Sequence, residues 1–131
     1  MIEDLQEFGN DKSSPYWHDF FMIEIRPTTK CNYDCYYCTD LHINDNPIVN
    51  LNTDNINKIV LAVKEHVNNN VHIYFCGGEP TMYPGLAKFI NSISQHLTGN
   101  DYVEIQSNLA RPLKWLDKFY NELRYPERFK R

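Results

Sequence analysis

The chain has 131 residues, 42% of them hydrophobic and 23% charged, with a formal net charge of -4 at pH 7. That length suits one domain with a hydrophobic core, and the mild acidity gives no electrostatic reason to expect nucleic acid or an anionic membrane as partner. No stretch approaches the roughly 20 consecutive apolar residues that cross a membrane as a helix. The opening MIEDLQEF lacks the basic start and apolar centre of a secretory signal, so the expected compartment is the cytoplasm, where thiols stay reduced.

In chain order, residues 1–19 read as an N-terminal extension with one short helix, residues 20–125 as the domain, and residues 126–131 as a frayed tail. Residues 20–26 (FFMIEIR) predict a strand. Residues 44–52, rich in Asn and holding a Pro, predict a loop. Ile56, Ile59, Val60, Val63 and Val67 recur at helical spacing and predict a helix over 53–69, capped by Thr53 or Asp54. A second strand is expected over 71–76 (VHIYFC), ended by Gly77-Gly78, and a second helix over 85–97, with Gly99 as its stop. A third strand follows over 102–107 (YVEIQS), then a third helix over 112–124 with Pro112 at its first position.

Strand, helix, strand, helix predicts an α/β fold with parallel strands. Each strand alternates. Phe21, Ile23, Ile25, Val71, Ile73, Phe75, Val103 and Ile105 fall on an apolar face that packs on helices. Glu24, Arg26, His72, Tyr74, Cys76, Glu104, Gln106 and Asn108 fall on the other. A polar face of this kind suits the interior of a barrel around a polar ligand, and equally a plain sheet with one solvated side.

Three of the four cysteines, Cys31, Cys35 and Cys38, fall within eight residues at the end of the first strand. Clustered cysteines in a reducing compartment point to metal or redox chemistry rather than disulfides. Three thiolates can hold three irons of a four-iron four-sulfur cluster and leave one position open. Adding His42 makes a Cys3His set that fits zinc and a small binding module. Adding Cys76 makes a closed four-cysteine cluster of the ferredoxin type; otherwise Cys76 is a small strand residue.

Gly77-Gly78-Glu79-Pro80 ends the second strand. Two glycines permit close backbone approach and unusual φ values, Glu79 can fix the loop or a ligand ammonium, and Pro80 stiffens the turn. The same four residues also suit an ordinary strand-to-helix turn.

Together, Cys31-x3-Cys35-x2-Cys38, an aromatic Tyr37 before the last cysteine, and GGEP one βα unit later resemble the radical SAM superfamily over residues 20–125. The resemblance implies a partial parallel (β/α) barrel, a 4Fe-4S cluster on the three cysteines, and S-adenosylmethionine chelated at the open iron. It implies reductive cleavage of that cofactor to a 5′-deoxyadenosyl radical, and hydrogen abstraction from a substrate. On it, Tyr37 lies by the adenine, and Gly77, Gly78, Glu79 and Pro80 flank the methionine end. Asn108, at the end of strand three, touches cofactor or substrate. It also implies a one-electron donor such as a flavodoxin or ferredoxin.

The chain supplies about three βα units, whereas the family's six-unit core needs roughly 180 residues. A truncated or split protein, a homodimer or partner chain that completes the barrel, and a non-catalytic relative are the alternatives this length leaves. Arg26 is the candidate to bind a substrate carboxylate or phosphate, and His72 and Tyr74 to face the substrate.

Overall fold

The structure is a computed structural model, and it describes residues 20–38 and 51–129. The N-terminal extension, His42 and most of the loop over 44–52 lie outside the described residues. Strands β1 (Phe20–Ile25), β2 (Asn70–Phe75) and β3 (Tyr102–Ile105) form a parallel sheet in the order β1-β2-β3. Helices α1 (Thr53–His66), α2 (Leu86–Ser94) and α3 (Leu113–Glu122) follow them in turn. The fold is α/β, three βα units in sheet order, the arrangement of a partial parallel barrel.

Register follows the alternation in the sequence. Ile23 pairs with Ile73 and Ile73 with Val103, while Ile25 pairs with Phe75 and Phe75 with Ile105. Ile25, Val71, Ile73, Phe75 and Val103 are buried in one cluster with Val60 and Val63 of α1 and Leu86, Phe89, Ile90 and Ile93 of α2. Burial of such side chains contributes about 1.5–3 kcal/mol each. Helix α2 contacts both α1 and α3. Helix α3 has no fully buried residue and holds on through Phe119, which packs on this core and meets the Phe129 ring edge-on at 6.2 Å.

The ends of the elements differ from expectation. Helix α1 is capped by Asn52, not Thr53 or Asp54: the Asn52 side chain accepts the Asn55 N–H at 3.0 Å, because a cap must precede the helix to reach its free N–H groups. Helix α2 stops at Ser94, so Gly99 (φ 54°) does not end it but turns the chain towards β3. There Asp101 accepts the N–H groups of Val71 (2.7 Å) and Thr98 (2.8 Å) and pairs with Lys64. Residues 126–129 are docked rather than frayed. Pro126–Arg128 form a 3₁₀ turn, Arg128 donates to the Gly99 carbonyl at 2.7 Å, and Phe129 bridges to Val103 in parallel on the open edge of β3.

The second sheet face is polar only towards its C-terminal end. At the other end Phe20, His72 and Tyr102 gather, with His72 stacked on Tyr102 at 4.2 Å and edge-on to Phe20 at 5.2 Å. His72 is buried and lies 3.1 Å from the Glu104 carboxylate. Among the described residues no helix is long and apolar enough to cross a membrane.

Candidate cofactor site at the strand ends

The β1–β2 ladder continues beyond both strands. Cys76 N–H donates to Ile25 O at 3.0 Å, Gly78 N–H to Thr28 O at 3.1 Å, and Glu79 N–H to Lys30 O at 2.8 Å. These bonds lay residues 76–79 against the segment that leads into Cys31. Pro27 and Thr28 in that segment are fully buried. The contact is too close for side chains. A Cβ on Gly78 would stand 2.4 Å from Lys30 O and 2.5 Å from Thr29 O. One on Gly77, whose φ is 110°, would stand 2.9 Å from Thr28 O. The close approach expected of the two glycines is therefore made by the chain's own segment over 26–30.

Glu79 is 2% exposed. Its Oε1 accepts Thr81 N–H (3.1 Å), Thr81 Oγ1 (2.6 Å) and Ser107 Oγ (2.8 Å), and its Oε2 accepts Asn108 N–H (2.8 Å). A buried carboxylate is stable only where donors replace its water, and these four do so. Glu79 thus ties the end of β2 to the end of β3.

The cysteine loop lies alongside. Cys31, Cys35 and Cys38 are free and partly exposed. Cys38 N–H closes a turn onto Cys35 O at 2.9 Å, and Tyr33 N–H points at Cys31 Sγ at 3.4 Å. Tyr36 and Tyr37 are 92% and 74% exposed, with rings edge-on at 5.2 Å. The Tyr37 hydroxyl meets Cys35, which pushes its pKa up. Asn32 Oδ1 accepts Asn108 Nδ2 at 2.9 Å. Among the described residues no three His, Cys, Asp or Glu side chains are already drawn around a metal position. The donor set itself, three thiols on one exposed turn, has the softness and accessibility that an iron–sulfur cluster requires.

Below the loops, Arg26 Nε donates to Glu24 Oε1 at 2.7 Å. That bond, then one from Cys76, holds the Glu24 carboxyl below its usual range. Cys76 is 6% exposed, and burial followed by its bond to Glu24 pushes its thiol up to about 11. It is protonated at neutral pH. Tyr74 Oη donates to Gln106 Oε1 at 2.6 Å.

The fold thus brings the cysteine loop, residues 77–80 and Asn108 to one end of the sheet. Asn32, Thr81 and Thr28 complete the frame and were not singled out from sequence. Asn32 and Thr28 meet partners tens of residues away, of which a loop sequence carries no local signal, whereas Thr81 bonds Glu79 only two positions before it.

A sequence profile of the radical SAM superfamily matches residues 25–124, most of the chain. Among curated proteins, the GTPase Obg of Brachyspira hyodysenteriae is 37% identical over 78 residues. That match covers 56% of this chain and 11% of the relative, so the chain spans a small part of that protein's length. No solved structure matches the chain.

Proposed function

The chain belongs to the radical SAM superfamily, and on that premise we propose that it binds a four-iron four-sulfur cluster through Cys31, Cys35 and Cys38, and S-adenosylmethionine beside residues 77–79. One observation carries this reading: the three partly exposed thiols and the GGEP turn stand at adjacent strand ends, joined directly by the Lys30–Glu79 hydrogen bond and through Asn108 by the Asn32–Asn108 and Asn108–Glu79 bonds. Parallel α/β folds place their active sites at that end of the sheet. When bound, the two cofactors supply one-electron cleavage of the sulfonium and removal of a hydrogen atom from a substrate.

The chain's own residues hold and frame. Cys31, Cys35 and Cys38 would hold three irons of the cluster and leave the fourth for the second cofactor. The Glu79 side chain, with both oxygens engaged by the protein, sets the shape of the turn and leaves cofactor contacts to the backbone of residues 77–79. Pro80 starts the 3₁₀ turn that follows. Tyr37, exposed on the loop, is available to cover the adenine. Cys76, buried and with its pKa raised to about 11, is protonated at neutral pH and lies outside the three-cysteine loop. The polar end of the sheet face, with Glu24, Arg26, Tyr74 and Gln106, is the surface a polar substrate meets. The protein works as a cytoplasmic enzyme, with a small flavodoxin or ferredoxin as electron donor.

Anaerobic reconstitution with iron and sulfide tests the reading. The expected product holds about four irons per chain, and Cys35→Ala loses them. With reductant and S-adenosylmethionine it forms 5′-deoxyadenosine. A purified chain that carries one tightly held zinc and takes up no cluster overturns it.

A further inference from the structure

Among the described residues, the bond from Asn108 Nδ2 to Asn32 Oδ1 is the one hydrogen bond that joins residues 31–38 to a segment outside the loop. The other bonds of the loop, Cys38 to Cys35 and Tyr33 to Cys31, are internal. Asn108 is fixed on all sides. Its N–H donates to Glu79 Oε2 at 2.8 Å, and its Oδ1 accepts Ala110 N–H at 3.0 Å. An N–H can meet only the oxygen of the amide, so Nδ2 is the atom turned to Asn32. Both polar atoms of the Asn108 side chain are thereby engaged by protein.

We infer that Asn108 is a positioning residue: it acts on the cysteine loop through Asn32, and so sets where a cluster on that loop stands relative to residues 77–79. This rests on the function proposed above. Asn108 itself is held by Glu79, so the turn after β2, the end of β3 and the cysteine loop form one frame. Without the tether the loop samples more arrangements. A ligand that needs one of them then binds more weakly, in proportion to the population lost.

The test uses the reconstituted full chain with Asn32→Ala, Asn108→Ala and the double substitution. The readout is the rate at which a ferrous chelator strips iron from the loop in the absence of S-adenosylmethionine. Each single variant speeds stripping about two- to fivefold, the lower range for one partly exposed hydrogen bond, and the double variant is no faster than the singles. Asn32→Asp, which keeps an acceptor for Nδ2, restores the slower rate. Effects that add in the double variant, or an unchanged rate in Asn32→Ala, overturn the inference. If Asn108 instead touches the cofactor directly, Asn108→Ala weakens S-adenosylmethionine binding while iron stripping stays at the wild-type rate, which also overturns it. Asn32 is exposed, so its variants fold even if Asn108→Ala does not. Should the wild-type chain take up no cluster, the proposed function fails by itself. Hydrogen exchange over residues 31–38 of the apo chain then decides the tether, faster in Asn32→Ala if it holds and unchanged if it does not.

Discussion

The Oε2 oxygen of Glu79 accepts the backbone N–H of Asn108 at 2.8 Å, a bond that joins the turn after β2 to the end of β3. With three further donors on Oε1, the buried carboxylate works as a structural anion between two loops. Glu79→Ala leaves the buried N–H of Thr81 and the half-buried N–H of Asn108 without an acceptor and costs about 2–3 kcal/mol. Glu79→Gln keeps the acceptor for Thr81 and Ser107 but turns an NH₂ towards the Asn108 N–H, and costs about 1–2 kcal/mol. Urea unfolding measures both. An unchanged midpoint in Glu79→Ala would refute the anchoring role.

The glycines separate steric from conformational cost. Gly78→Ala drives a Cβ into the backbone oxygens of Lys30 and Thr29, at 2.4 and 2.5 Å. We expect a loss of about 3 kcal/mol, the upper range for overpacking, and weaker iron uptake as the segment before Cys31 is displaced. Gly85, φ 75°, has nothing within 4 Å of the same position, so Gly85→Ala carries only the left-handed penalty of about 1–2 kcal/mol. Equal losses in stability and iron uptake for the two would show that residues 26–30 are free to move aside.

Thiol reactivity should divide the four cysteines. In the reduced apo chain at pH 8, an alkylating agent reaches Cys31, Cys35 and Cys38, which are partly exposed, before Cys76. With a pKa of about 11, Cys76 is thiolate in roughly one molecule per thousand at that pH. Peptide mass spectrometry over a time course reads the order. Because the folded pKa lies above the ordinary 9.0, Cys76 adds stability that is intact below pH 9 and is lost as pH rises towards 11. Early labelling of Cys76 would mean that the polar face opens readily.

Acid should attack the opposite end of the sheet. Burial raises the Asp101 pKa, but the Lys64 ammonium and the N–H groups of Thr98 and Val71 together outweigh it and hold the carboxyl below 3.8. A depressed pKa gives stability that is present above 3.8 and is lost as pH falls through the folded value. Urea midpoints for wild type and Asp101→Asn should differ most near neutral pH, by about 2–3 kcal/mol, and converge in strong acid. A gap that persists below pH 2 would assign the effect to packing instead.

The alternation of Phe21, Ile23, Ile25, Val71, Ile73, Phe75 and Val103 made the sheet and its register legible, because a period of two has only one way to bury an apolar face. The three helices were legible from their apolar spacing, and the cysteines and GGEP from their motif. The ends were not. Asn52 replaced the expected cap by one residue, since propensity is weak where only one or two hydrogen bonds decide. Phe129 looked frayed because its partner, Val103, lies on a distant strand. The tether also escaped notice, since nothing near Asn32 in the sequence names Asn108.

The Asn32–Asn108 bond spans 76 residues, which bears on the order of assembly. Synthesis runs from the N-terminus, and domains fold as the chain emerges. The three thiols are therefore complete long before the amide that holds their loop exists. Iron delivered early meets an untethered loop, whereas iron delivered after β3 has joined the sheet meets a shaped one. On the proposed function, cluster insertion is best timed to the end of folding, and premature loading favours misplaced metal.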